Sequence, residues 1–328
     1  MRPFRTTVPV ILLSVVLVLG GCGGGESAEP EPAAAYPTKK ISLYIPYAAG
    51  GPTDLLGRAT ATFMEKDLGQ TVVVENRPGA SGSLGVQAML AGGADGHSLS
   101  IIAVPATATN PLQQDVGYTN DDYVPVGVIS VIPSVLVVGS GSPHADAQGF
   151  FAAAKASPGR VKVAVPGATT SQAMELKRLA DLYGIQVTPV PFNGNAEIIT
   201  ALLGGNVDSA FVNASKDILG NIDAGKFRPL AVSPADRLEY LPNVPTLKES
   251  GFPELVYSES VFGLAAPKGT PQLALTRLED SLRKSQQDPE VVKALDEKYV
   301  PDAFVGTHEF RRLIDEIVEV YGPILEKS

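Results

Sequence analysis

One cysteine in 328 residues excludes a disulfide framework and leaves no thiol pair for redox chemistry. Tryptophan is missing, and aromatic residues make up only 6% of the chain, too few rings for a sugar-stacking platform. The three histidines, His97, His144 and His308, stand far apart, each beside a turn or a helix start, and no metal-ligand spacing occurs. There is no Gly-x-Ser-x-Gly elbow, no complete Gly-x-Gly-x-x-Gly fingerprint and no Gly-Lys-Ser/Thr phosphate loop. With no nucleophile, base, metal cluster or cofactor motif in view, the expectation is a protein that is not an enzyme, with no catalytic residue, no metal and no cofactor. Basic residues are also the minority, 26 Lys and Arg against 35 Asp and Glu, for a net charge of −9. That sign argues against a nucleic-acid partner and against a basic membrane-docking face.

What is present begins with a leader. Arg2 and Arg5 precede an apolar run over residues 8–19 that is short for a membrane span, and the run ends in Leu19-Gly20-Gly21-Cys22. This order resembles the lipobox of bacterial lipoproteins, in which cleavage falls before the cysteine and its sulfur carries the lipid. Residues 1–21 are therefore expected to be a signal peptide, with Cys22 the lipidation site and a lipid on Cys22 the link to a membrane. Loss of the leader removes Arg2 and Arg5 and no acid, leaving 24 basic against 35 acidic residues, a net charge of −11. Residues 22–36 are rich in Gly, Pro, Ala and Glu. They cannot bury a core and read as a flexible tether.

The body beyond the tether is organised around residues 41–56. Alternating apolar residues at 41–45 read as a strand. Tyr47, Ala48, Ala49, Gly50 and Gly51 form a small-residue turn, and Pro52-Thr53-Asp54 reads as a helix start. A strand feeding a glycine turn and a helix N-terminus presents unpaired N–H groups and the positive end of the helix dipole, a site suited to an anion. Gly50 and Gly51 would let a ligand approach the backbone. Asp54 has a competing role, satisfying first-turn N–H groups of its own helix. A second strand, turn and helix follows at 161–182, with Gly167, Ala168, Thr169, Thr170 and Ser171 in the turn. Either Thr170 or Ser171 suits the N-cap.

Elsewhere strands and helices alternate, which predicts an α/β fold with parallel sheets. The run 71–75 suits a strand buried on both faces. Residues 105–111 read as a loop, and 187–192, with two prolines, as a strand near a sheet edge. Residues 207–213 form a strand ending in polar Asn213, and the helices after residue 271 cover an existing sheet or cross a domain joint. No internal repeat is evident. No Lys or Arg lies in the candidate loops, and Arg77, the nearest basic residue, suits a structural role. A carboxylate there would be held by N–H and O–H donors and bridging water, with little sensitivity to salt.

These segments carry a family likeness. Residues 45–54 (Ile-Pro-Tyr-Ala-Ala-Gly-Gly-Pro-Thr-Asp), 73–80 with Gly82, 190–194, 202–208, 224–226, 230–232, 242–246 and 262–264 resemble, in order and spacing, the Bug-type receptors of tripartite tricarboxylate transporters. The resemblance implies a two-domain, periplasmic-binding-protein-like α/β fold of type II, with two crossovers and a ligand cleft between the domains. It implies domains at 37–133 plus 258–328 and at 134–257, with hinges near 133–134 and 257–261. Tyr47, Ala49, Gly50, Gly51, Thr53, Asp54 and Thr107 would contact ligand from one domain, and Ala168, Thr169, Thr170, Ser171, Phe192 and Asn213 from the other. Together with the lipobox at Cys22, the expectation is a monomeric, extracytoplasmic, lipid-anchored receptor that captures a small carboxylate for a membrane permease pair. A sensor that docks on a membrane signalling protein is the alternative. The sequence departs from the family in having Ala168 where a glycine is common and Gln172 where a histidine is common, so ligand identity does not transfer.

Overall fold

A computed structural model of the chain describes residues 35–325 except 48, 51 and 193. Cys22, the leader, most of the tether and Gly51 therefore lie outside the described residues. The chain divides after Ala35 into two units, and the fold below is that of the second, from Tyr36 onward. Among the described residues no helix is long and apolar enough to cross a membrane.

The strands are β1 (Ile41–Ile45), β2 (Val72–Asn76), β3 (Ser98–Val104), β4 (Tyr123–Ile132), β5 (Ser134–Gly139), β6 (Lys162–Val165), β7 (Thr188–Pro191), β8 (Ser209–Asn213), β9 (Phe227–Val232) and β10 (Ser260–Pro267). They form two five-stranded sheets, in the orders β2-β1-β3-β10-β4 and β7-β6-β8-β5-β9. The helices are α1 (Pro52–Leu68), α2 (Ser83–Ala91), α3 (Ala106–Gln113), α4 (Ala147–Ala156), α5 (Ser171–Tyr183), α6 (Asn195–Leu203), α7 (Lys216–Asp223), α8 (Gln272–Ser285), α9 (Pro289–Leu295) and α10 (Thr307–Leu325). This is the two-domain α/β fold with two crossovers, one through Pro133 and one through residues 233–259.

The expectation of parallel sheets needs correcting. β10 runs antiparallel between β3 and β4, and β5 antiparallel between β8 and β9. Each is the strand by which the chain enters a sheet from the other one. Entry is at the edge where the parallel strands end, so the incoming strand must run the opposite way. The two sheets thus repeat one topology that the sequence does not repeat.

Apolar clusters cover both faces of each sheet. Ile41, Leu43, Ile45 and Leu99 meet α1, α8 and α9 on one side of the first sheet, while Ile102, Val104 and Val128 meet α2, α3 and α10 on the other. In the second sheet, Leu136 and Val138 pack under α4 and α5, and Val135 and Val137 under α6 and α7. Coverage on both faces is why β5 reads as a continuous apolar run. β2, expected to be buried on both faces, is instead an edge strand with four half-buried positions. β7 lies at an edge, as its two prolines require.

The loop expected over 105–111 is the helix α3. Pro111 has no N–H for the carbonyl of Thr107, but that carbonyl accepts the Tyr118 hydroxyl at 3.2 Å. Asn110 Nδ2 donates to Ala80 O and Ser81 O, both at 3.2 Å, and to Ser83 Oγ at 3.0 Å. These tertiary bonds stabilise a helix that local propensity does not favour.

Candidate functional site

A cleft of about 860 Å³ lies between the sheets, at the edges where their parallel strands end. The first sheet lines it with Tyr47, Thr53, Ser130 and Phe262, and the second with Thr170, Ser171, Asn213 and Lys216. This is where open α/β sheets receive ligands, because the loops there are free to vary while the strands hold them.

Five helices begin at the cleft. Thr53 opens α1, Ala106 opens α3, Ser171 opens α5, Asn195 opens α6 and Lys216 opens α7, and all five residues line it. Each N-terminus brings unpaired N–H groups and about half a positive charge. Lys216 adds a full charge and has no ion pair among the described residues. The acids nearby are engaged. Asp217 accepts from Ser215 Oγ at 2.5 Å and from its own helix at Ile218 N at 3.0 Å, and Asp296 faces Lys298 Nζ at 3.2 Å. Asp217 and Asp296 both line the cleft beside Lys216, so what the cleft offers an anion is its helix N-termini, its neutral donors and that one lysine.

The loop after β1 is closed by Asp54, which is buried. Its carboxylate accepts Gly50 N–H at 2.9 Å, Asn76 Nδ2 at 2.8 Å and Arg58 Nε at 2.9 and 3.0 Å. Asn76 Nδ2 also donates to Tyr47 O at 3.0 Å. The Arg58 guanidinium, helped by Gly50 N–H and Asn76 against the opposing effect of burial, lowers the Asp54 pKa to about 2. Gly50 is needed here for its left-handed backbone, φ +83°. Its N–H is spent on Asp54 and is not offered to a ligand, contrary to the expectation for this loop. Asp54 likewise organises the loop and does not line the cleft.

Of the other expected contacts, the structure brings Tyr47, Thr53, Thr170, Ser171 and Asn213 to the cleft. Ala49 and Ala168 are exposed away from it, and Thr169 is half-buried outside it. Thr107 is buried in α3, where Oγ1 accepts Ala103 N–H at 3.1 Å. Phe192 packs against the core of the second sheet, and its N–H goes to Val165 O at 3.0 Å. Arg77 pairs with Glu75 at 2.9 Å, outside the cleft.

One of the two expected N-cap candidates fills that role. Thr170 is the N-cap of α5, its Oγ1 donating to Gly167 O at 3.1 Å and accepting from Ala173 N at 3.4 Å. Ser171 Oγ donates to Ser258 O at 2.8 Å. Both protons are committed to backbone carbonyls. Among the described residues, the cleft side chains with donors not taken by protein are Tyr47 Oη, Thr53 Oγ1, Ser130 Oγ, Asn213 Nδ2 and Lys216 Nζ. Burial, and to a lesser degree Tyr118, pushes the Tyr47 phenol up to about 12, so it is a neutral donor.

Ser130 and Lys216 were not legible as site residues. Ser130 breaks an otherwise apolar run in β4, a signal that was available. Lys216 lies on α7, too short a helix to stand out from sequence pattern. It shows that a cation reaches the cleft although the three candidate loops contain none.

The model of the tripartite tricarboxylate transporter family receptor matches residues 56–328. The chain belongs to this receptor family. Protein BugT of Bordetella pertussis is 33% identical over 320 residues, covering 96% of this chain and 97% of its own. A TctC solute-binding protein from Polaromonas, 29% identical, superposes with a TM-score of 0.78 over 89% of this chain and all of its own. An R. palustris protein solved with adipate is 28% identical, with a TM-score of 0.72 over 88% of this chain and 98% of its own. The Bug-type resemblance and the fold it implies hold. The family and these neighbours are solute-binding receptors.

Proposed function

We propose that this receptor binds a small carboxylate in the cleft and delivers it to a membrane permease pair. The observation that carries the reading is the convergence on one cleft of five helix N-termini, Lys216 and neutral donors from both sheets that have no protein partner among the described residues. The adipate held by the R. palustris relative supports the same ligand class. Tyr47, Thr53 and Ser130 contact the ligand from one side, and Ser171, Asn213 and Lys216 from the other. Ser171, its proton committed, serves through backbone N–H. Gly50 and Asp54 shape the loop that carries Tyr47.

In this reading the bodies 37–133 plus 258–328 and 134–257 close on the ligand by hinge motion at the two crossovers. Cys22 carries a lipid after removal of residues 1–21, and 22–36 tether a monomeric receptor on the extracytoplasmic side of a membrane.

The test is calorimetry of purified receptor against mono-, di- and tricarboxylates and a set of cationic and neutral solutes. Binding of one or several carboxylates is expected. Tight binding of a cation with no carboxylate bound would falsify the reading. Metabolic labelling with a fatty acid, lost in Cys22→Ala, tests the anchor.

A further inference from the structure

Gln172 does not line the cleft, yet it is 1% exposed and sits at the centre of a hydrogen-bond network that does. Its Nε2 donates to Ser134 Oγ at 2.8 Å and to Asn213 Oδ1 at 2.6 Å. Ser134 Oγ donates to Ser258 O at 2.6 Å, the same carbonyl that accepts Ser171 Oγ. Ser260 Oγ reaches Asn213 Oδ1 at 3.1 Å. Ser134 begins β5 at the first crossover, and Ser258 ends the second.

Ser171 Oγ also lies 3.3 Å from Gln172 Oε1, a longer contact than its 2.8 Å bond to Ser258 O, and the proton count fixes the direction of the shorter bonds. Ser134 has one hydroxyl proton, and the 2.6 Å contact with Ser258 O requires it, since a carbonyl only accepts. Ser134 Oγ must then accept from Gln172, which therefore presents Nε2 there. A reversed Gln172 would put Oε1 against Ser134 Oγ and leave one of two close oxygen pairs without a hydrogen. The second Nε2 proton goes to Asn213, which must answer with Oδ1. Asn213 Nδ2 is then left with no partner among the described residues, on a half-buried side chain that lines the cleft.

We infer that Gln172 is a positioning residue: it holds the Asn213 side chain so that the amide NH2, and not the carbonyl, faces the ligand, and it ties that amide to both crossovers. The inference rests on the reading of the cleft as a carboxylate site. It adds that the polarity of the second-sheet wall is set from behind by an uncharged group, so that two N–H donors face the ligand. Ligand pull on Asn213 is passed through Gln172 to Ser134 and Ser258, the segments about which closure turns.

Gln172→Glu tests this. The variant is nearly isosteric and replaces donors by acceptors; it loses the bond to Ser134 Oγ, a cost that the N-terminal end of α5 offsets in part. It draws the Asn213 NH2 toward itself and turns the carbonyl into the cleft. Calorimetry with a panel of mono- and dicarboxylates that includes adipate compares wild type, Q172E, N213A and the double variant. Q172E and N213A are each expected to bind about tenfold or more weakly, the loss typical of hydrogen bonds to a charged group. The double variant should be no weaker than N213A alone, because Gln172 acts through Asn213. Wild-type affinity in Q172E, or losses that add, overturn the inference.

A ligand-free readout is the hydrogen exchange of the Asn213 side-chain amide, assigned by its disappearance in N213A spectra. Fast exchange in wild type, slowed in Q172E, is expected. Protected wild-type protons overturn the inference even where Q172E fails to fold. If wild type binds no carboxylate in the panel, the site reading fails, and the exchange rates still decide the amide's orientation.

Discussion

Asp54→Asn removes one charge with almost no change of shape, at the residue on which the first cleft loop depends. Both Asp54 oxygens only accept, from Gly50 N–H, Asn76 Nδ2 and Arg58 Nε. An asparagine offers one acceptor oxygen and must point its NH2 at one or more of these donors. Hydrogen bonds to a charged group are worth about 1.5–3 kcal/mol each on deletion. Arg58 is 47% exposed and recovers water, which cuts its share. The expected cost is about 2 kcal/mol at pH 7. Linkage expresses the same bonds as a pH dependence. The folded pKa of about 2 lies below the ordinary 3.8, a difference of roughly 2 kcal/mol in favour of the folded state. The sign follows from the depressed value: the contribution is complete above pH 3.8 and is lost as pH falls through about 2. Urea unfolding of wild type and D54N from pH 7 to pH 3 is the assay. The gap in stability should be widest at neutral pH and narrow from about pH 4 downward. Carboxylate affinity should fall as well, since Asn76 also holds the Tyr47 carbonyl. A neutral-pH gap below about 0.5 kcal/mol, or one that does not narrow, would refute the assignment of Asp54 as the loop clamp.

Three further outcomes are expected. Lys216→Met should weaken binding of an anionic ligand about tenfold and remove most of its salt dependence; unchanged affinity would mean that neutral donors alone hold the ligand. Glu259 lies in the second crossover, where burial raises its pKa to about 7 from 4.5. The raised value gives a contribution that is complete below pH 4.5 and lost as pH rises through 7, so Glu259→Gln should match wild type at pH 4 and exceed it by about 2 kcal/mol at pH 8 in thermal or urea unfolding. Gly263→Ala would put a methyl 2.2 Å from the Phe310 ring and 2.7 Å from Gly127 O. A backbone carbonyl cannot turn aside, so a loss of about 3 kcal/mol or complete failure to fold is expected, read by circular dichroism and yield.

The sequence alone determined the α/β class, the strands and most helices, because each side of a sheet must be covered and that requirement writes itself into apolar runs such as β5 and the amphipathic helices after residue 271. It also carried the family, through short segments at the strand ends. Pro189 and Pro191 marked an edge strand because proline removes a ladder donor. The non-alternating 71–75 run misled, since an edge strand can be as apolar as a central one.

Only tertiary structure decided which groups in the cleft are free to act. The hydroxyls of Thr170 and Ser171 and the N–H of Gly50 look like ligand donors in the sequence, and folding commits all three to other partners. Ser130 and Lys216 look ordinary, and folding leaves them facing the cleft. The direction of β5 and β10, the helix at Ala106–Gln113 and the orientation of the Asn213 amide follow from contacts between residues tens of positions apart. The physical reason is the same in each case. A polar group's function depends on which hydrogen bonds it still has to give, and that remainder is known only when every partner is in place.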